Sequence, residues 1–300
     1  YVFSVWYLQE LIMSFHLKNF INVTRLNKPV GYLLLFWPCA WGLSLANYFI
    51  SDMKVFLYYL FLFFCGSVLM RSAGCIVNDI VDEKIDKKVL RTKTRPIASG
   101  LLKKNLAWLY VIVLCMLAFL ILIQFNFLTI CLGIFSMVFA FSYPFMKRFT
   151  YWPQLFLGFT FNWGIIMAWS AVSNNVSYLA IVLYFGAIFW TLGYDTIYGL
   201  QDASDDEIIG VKSTAIKFKN NLNVFVGTCY FISSVLILFV IVNLELNYFL
   251  ILFVLFIMSL FYQLKIYDKN NPDACLRAFK LNNLSGLFLF LTFFSLTIEI

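Results

Sequence analysis

Asn78-Asp79-Ile80-Val81-Asp82-Glu83-Lys84-Ile85-Asp86 follows without a break on the apolar run from Phe56 to Val77. A run of about 20 apolar residues spans the roughly 30 Å of a bilayer core, so the stretch reads as a membrane helix that ends in acids. At 100° per residue, Asp79, Asp82 and Asp86 fall within about a 60° arc of that helix. Carboxylates packed so closely raise one another's pKa unless a cation sits among them. Oxygen donors without His or Cys favour Mg²⁺, with Mn²⁺ the alternative. The chemistry that most often needs such a cation is the handling of phosphates.

A second cluster repeats the pattern. In Asp195-Thr196-Ile197-Tyr198-Gly199-Leu200-Gln201-Asp202-Ala203-Ser204-Asp205-Asp206, a continuous helix would align Asp195, Asp202 and Asp206 within about 40°. A solvated, salt-bridged helix end accounts for any one of these acids, but not for two aligned triplets. The clusters end the second and sixth apolar segments, an arrangement that suggests an internal repeat bringing them face to face. Asp195 lies furthest into its apolar run, where an ionisable group is costly and is a functional candidate by default.

The rest of the chain agrees with a membrane protein. Of its 300 residues 62% are hydrophobic and 12% charged, and mean hydropathy is +0.86, far from a soluble domain. Nine spans are expected, at about 30–50, 55–77, 105–124, 126–146, 152–173, 177–200, 222–243, 246–264 and 283–299. The expected fold class is therefore all-α, a polytopic membrane protein in one domain over 1–300, with a kink or tilt near Gly66. Residues 1–29, with Trp6, Tyr7, Leu8, Leu11, Ile12 and Phe15, read as an interfacial segment. The chain opens on Tyr1 rather than Met, which leaves its true start open. Seven cysteines without a CxxC pair exclude a zinc site or disulfide framework. His16, the only histidine, excludes His-based triads and bis-His haem.

Numbering the connections alternately places 21 of the 22 basic residues on one side, with Lys54 alone on the other. The positive-inside rule then puts the N-terminus in the cytoplasm. The far-side connections are three or four residues long, and Asn175 in one of them carries no weight as a glycosylation acceptor. The long connections 78–104 and 201–221 are cytoplasmic and hold eight of the fifteen acids, so function is expected on that face. Cations follow each cluster, including Arg91 and Arg95 after the first, Lys212 after the second, and Lys147 and Arg148 at the end of the fourth span. Loops of this kind are basic for topology alone, but guanidinium and ammonium groups beside acids are also what holds a diphosphate. Gly210-Val211-Lys212-Ser213-Thr214 lacks the upstream glycine and the strand of a P-loop.

At these residues the chain resembles the UbiA superfamily of intramembrane prenyltransferases, whose two aspartate-rich motifs look like Asn78 to Asp86 and Asp195 to Asp206. Asn27-Lys-Pro-Val-Gly-Tyr-Leu-Leu-Leu-Phe-Trp-Pro38, Met70 to Asp79, Arg91-Thr-Lys-Thr-Arg-Pro96, Tyr143-Pro-Phe-Met-Lys-Arg148, Tyr194 to Tyr198 and Gly210 to Thr214 are similar to its 4-hydroxybenzoate polyprenyltransferase branch. These motifs span about residues 25–215, while the last three spans match only as apolar segments. The resemblance implies nine helices around a central cavity, with polyprenyl diphosphate held through Mg²⁺ at Asn78, Asp79, Asp82, Asp86, Asp202 and Asp206. It also implies 4-hydroxybenzoate as acceptor, in ubiquinone synthesis, in a bacterial or mitochondrial inner membrane.

On that basis Asp195, Arg95, Lys147 and Arg148 are the catalytic candidates. Arg91, Arg71, Lys212, Tyr143, Tyr194 and Tyr198 are the substrate-binding ones. Haem- and menaquinone-type prenyltransferases are the nearest rivals. An ion-coupled transporter is a more distant one, since such proteins also carry intramembrane acids. No nucleic-acid partner is expected.

Overall fold

The structure is a computed structural model that describes residues 16–244 and 250–297. The interfacial segment expected over 1–29 lies mostly outside them; its described end is a helix at 16–24, here α1. The helices that follow are α2 (Pro29–Ile50), α3 (Met53–Val81), α4 (Glu83–Asp86), α5 (Lys104–Leu122), α6 (Phe127–Phe149), α7 (Pro153–Asn162) and α8 (Gly164–Ser173). After them come α9 (Tyr178–Gly199), α10 (Ala203–Ile209), α11 (Thr214–Lys217), α12 (Leu222–Val242), α13 (Leu250–Ile266), α14 (Pro272–Lys280) and α15 (Asn282–Leu296).

Among the described residues, eight helical segments are long and apolar enough to cross a membrane; Leu250–Ile266, where the eighth expected span falls, is shorter. α7 and α8 together make the fifth span, and α14 and α15 the last. At 29 residues, α3 is about 44 Å long and outruns the bilayer core, which carries its last turn and the first acids into polar surroundings. It has no break at Gly66.

The short turns at the end away from the acids are made of capping residues. Asp52 accepts from the backbone N–H groups of Lys54 and Val55, Asn126 from Thr129, and Ser177 from Leu179. These bonds satisfy donors that a helix start leaves unpaired. The break between α7 and α8 also has a local cause. Asn162 turns its amide back onto the Gly158 carbonyl at 2.8 Å while holding Thr191 of α9 at 2.8 Å, competing with the helical ladder.

The helices pack in a ring: α3 on α2 and α5, α6 on α7, α7 on α9, α9 on α12, α13 on α15, and α15 back on α2. Among the described residues, a cavity of about 1330 Å³ is lined by the first six spans and by the connections before the first, after the second and after the sixth; the last three spans contribute Leu276, Phe279 and Lys280. Those last helices instead buttress α9 through a buried polar chain. Trp190 donates to Asn282, Asn282 and Tyr230 both donate to Gln263 Oε1, and Gln263 donates to Ser285. The chain fixes the helix that carries Asp195.

Candidate functional site

The cavity is acid-lined at one end and apolar at the other. Asp79 and Asp86 share Arg95, whose Nη1 lies 3.1 Å from Asp79 Oδ1 and 2.9 Å from Asp86 Oδ2. The two acids share this partner although α3 stops at Val81 and a separate turn, α4, carries Asp86, so the single helix expected to carry Asp79, Asp82 and Asp86 on one face is interrupted. Asp82 leans the other way, to Lys147 Nζ at 2.5 Å. All three carboxylates are buried. Burial pushes the Asp82 carboxyl above the usual range, and Lys147 opposes that rise.

On the opposite wall α9 ends at Gly199, so the continuous helix expected through Asp195, Asp202 and Asp206 does not form. Asp202 instead sits just before α10 and receives Arg91 in a two-pronged contact, Nε to Oδ1 at 2.8 Å and Nη2 to Oδ2. Asp206 follows on α10. Burial, with Asp202 beside it, pushes its carboxyl up to about 6 against the opposing charges of Lys147 and Arg91. The two walls also meet where the Leu90 N–H donates to Asp205 at 3.2 Å. The connections 78–104 and 201–221 are thus joined, and α4, α10 and α11 give them helical turns in place of plain loop. Outside the cavity, Lys104 and Lys87 hold half-buried Glu83 down to about 2.

Asp195 lines the cavity deeper on α9, with Arg71 as the cation acting on it. Arg71 lies over the Phe161 ring at 5.2 Å from its centroid. It fits there because residue 31 is glycine; a Cβ at Gly31 would stand 2.8 Å from Arg71 Nε. Asn78, Tyr143, Tyr194 and Tyr198 are also on the cavity wall. Tyr198 carries the Arg91 guanidinium over its ring at 5.8 Å. Lys212 is at the rim, where its backbone N–H donates to the Lys147 carbonyl at 3.0 Å.

Arg148 departs from expectation. It donates to the Val81 carbonyl at 2.8 Å and stacks on Phe145, capping the end of α3 outside the cavity. Arg25 was missed among the site residues: its Nη2 lies 2.5 Å from Asp79 Oδ1. It has φ 56°, a left-handed conformation uncommon for a residue with a Cβ. The only signal in the sequence was its place two residues before the Asn27-Lys-Pro motif.

The donor set suits a hard divalent cation. It is oxygen only, and Asp82 Oδ1 is buried on the cavity wall without a hydrogen-bond partner. Among the described residues no three His, Cys, Asp or Glu side chains close around one point. The metal ligands expected from the sequence are therefore not gathered round one point: Asp79, Asp86 and Asp202 are held by arginines and Asp82 by Lys147.

Residues 35–291 match the UbiA prenyltransferase family. The chain is 40% identical over 281 residues to the 4-hydroxybenzoate octaprenyltransferase of Vibrio atlanticus, covering 92% of this chain and 98% of that one. It is 44% identical over 215 residues to the mitochondrial 4-hydroxybenzoate polyprenyltransferase of Arabidopsis thaliana, covering 71% of this chain and 52% of that protein's length. Among solved structures, a UbiA homolog from Aeropyrum pernix matches with a TM-score of 0.73 at 21% identity, covering 87% of this chain and 96% of that one. A UbiA homolog from Archaeoglobus fulgidus bound to DMAPP and Mg²⁺ matches with a TM-score of 0.68 at 17% identity, covering 94% and 100%.

Proposed function

The chain belongs to the UbiA prenyltransferase family, and from that premise we propose that it transfers a polyprenyl group from polyprenyl diphosphate to the ring of 4-hydroxybenzoate, releasing diphosphate. The observation that carries this reading is the polarity of the cavity. Two acid walls with their cations face each other at one end, and apolar side chains line the other. That is the shape of a ligand with a diphosphate head and a hydrocarbon tail. The names of the relatives support the acceptor, and with it a place in ubiquinone synthesis.

Asn78, Asp79, Asp82 and Asp86 on one wall, with Asp202 and Asp206 on the other, would hold divalent cations, Mg²⁺ first and Mn²⁺ as the alternative. When bound, such ions neutralise the diphosphate and make it a better leaving group. The chain's own cations share that work. Arg95, Lys147, Arg91 and Arg25 stand beside the acids, where negative charge accumulates as the C–O bond of the donor breaks and its electron pair leaves with the diphosphate, while the Lys212 ammonium turns to the Phe149 carbonyl. Tyr143, Tyr194 and Tyr198 present aromatic surface to the allylic cation that remains, in a cavity where lipid and protein exclude water.

Arg71 pairs with the carboxylate of the acceptor, and Asp195 accepts the hydrogen bond of its phenol. The ring carbon beside that hydroxyl, the ring's strongest donor, then attacks C1 of the prenyl group, and the C–H proton it loses passes to the released diphosphate. The site faces the cytoplasm in a bacterial inner membrane or the matrix in a mitochondrial one. Product analysis by mass spectrometry, with purified protein offered a mixture of aromatic acids, a polyprenyl diphosphate and Mg²⁺, tests the reading. The expected product is 4-hydroxybenzoate prenylated on the ring beside the phenol; an ether, an ester or a preferred different acceptor overturns it.

A further inference from the structure

Five cavity-lining residues of α3 recur at intervals of four, Asn78, Gly74, Met70, Gly66 and Leu62, and Asp82, just past its end, continues the row. At 100° per residue each step of four turns about 40° round the helix, so the row winds round α3 as it runs from the acids towards the apolar end, and all of it stays on the wall of the same cavity. Gly74 and Gly66 have no side chain, and a Cβ on either meets no atom within 4 Å. Elsewhere on the cavity wall the corresponding space is taken. A Cβ on Gly133 would lie 2.6 Å from Leu122 Cδ1, and one on Gly164 2.3 Å from Cys39 Sγ. Gly66 therefore borders open cavity, whereas those two are held by packing. One turn further on, Phe63 meets Phe125 with centroids 4.9 Å apart, and Tyr59 meets Phe125 at 5.1 Å. Phe63 and Phe125 are buried and line the cavity near Gly66.

We infer that Gly66 is a specificity-determining residue that sets how long a prenyl tail fits in the cavity past its own depth. The inference rests on the prenyl-donor reading above. At 1.5 Å per residue, Gly66 stands about 24 Å from Asp82 along the helix. Each five-carbon unit adds four C–C bonds of about 1.5 Å and advances the tail by roughly 5 Å. Allowing for the diphosphate itself, the tail passes Gly66 at about its fourth unit. Donors of two units end well before that point, and donors of eight must pass it. A leucine side chain there occupies the open space, so a long tail must bend aside or draw its diphosphate away from the acids.

Equilibrium binding of non-transferable thiolodiphosphate donors of two, four, six and eight units, with Mg²⁺ and the full chain in nanodiscs, tests this. Gly66→Leu is expected to bind the two-unit donor within about twofold of wild type and the eight-unit donor about tenfold more weakly, the penalty of overpacking. Gly66→Ala, whose methyl group enters open space, is expected to bind both as wild type does. Both changes raise helix propensity, so neither weakens α3 itself. Equal weakening at every length would mean a structural role only. Unchanged eight-unit binding would mean that the tail leaves the cavity before Gly66; either result overturns the inference. No acceptor takes part, so these outcomes are separate from the identity of the acceptor. A wild-type protein that binds none of the donors would overturn the donor reading and this inference together.

Discussion

Arg91 and Asp202, each on a different connection, are joined by parallel hydrogen bonds from Nε and Nη2 to the two carboxylate oxygens. The same guanidinium lies over the Tyr198 ring. One side chain thus ties the connection after α3 to the end of α9 and brings the acid walls to a common mouth.

Lysine cannot reproduce that fork, because its ammonium is a single point charge without a planar pair of donors. Arg91→Lys is expected to lower turnover by about tenfold. The melting temperature should stay near wild type, since the pair is partly exposed and such pairs add little stability. Turnover assays beside thermal melts check both halves; full activity in Arg91→Lys would mean that charge alone suffices.

Gly31 and Arg71 give a second test. A methyl group at residue 31 would sit 2.8 Å from Arg71 Nε, so the guanidinium must move off Phe161. Gly31→Ala should raise KM for the aromatic acid by about tenfold or more, because a shift of about 1 Å in a positioning group is costly. KM for the prenyl donor should change far less. An equal rise in both would place Arg71 on the donor instead.

Spacing alone made the first acid cluster legible, since Asp79 and Asp86 do converge on Arg95. Hydropathy placed the first seven spans within a few residues, while the last, expected at 283, starts at Pro272. The second cluster was only partly legible, because its alignment assumed one helix where α9 ends at Gly199 and Asp202 starts a new turn. Nor does hydropathy show a break such as that at Asn162, which depends on a partner, Thr191, on another helix. Arg25 and Arg148 were misjudged for a related reason. A charge run shows how many cations a loop holds, but not which of them the fold turns inward.

If Asp206 holds a metal as proposed, metal binding depends on pH. Its carboxyl is pushed up to about 6 in the metal-free protein by burial and by Asp202. The folded protein therefore holds that proton more tightly than the unfolded chain. The group's contribution to metal-free stability is full below about pH 4 and is lost as pH rises through 6. A cation must displace the proton, so affinity should rise by up to about tenfold per pH unit below 6 and level off above 7. The gain in melting temperature at fixed Mg²⁺, measured from pH 5 to 8, should follow that curve. A flat gain would mean that Asp206 stands outside the metal site.

Asp82 and Asp206 test whether the two walls act together. Asp82 pairs with Lys147, whose charge also acts on Asp206, so the same cation serves both walls. If both carboxylates help to neutralise one departing diphosphate, Asp82→Asn and Asp206→Asn should each cost on the order of 10²–10³ in turnover, as a lost electrostatic contact to a developing anion does. The double variant should be little worse than either single one, because parts of one unit do not lose their effects additively. Asp273, exposed in the first turn of α14 and away from both walls, should tolerate Asn with a stability change under about 0.5 kcal/mol and normal turnover. Assays at saturating Mg²⁺, with thermal melts to confirm folding, separate the cases. Losses that multiply in the double variant would mean two independent sites, and near-normal turnover in either single variant would reduce that wall to a salt-bridged helix end.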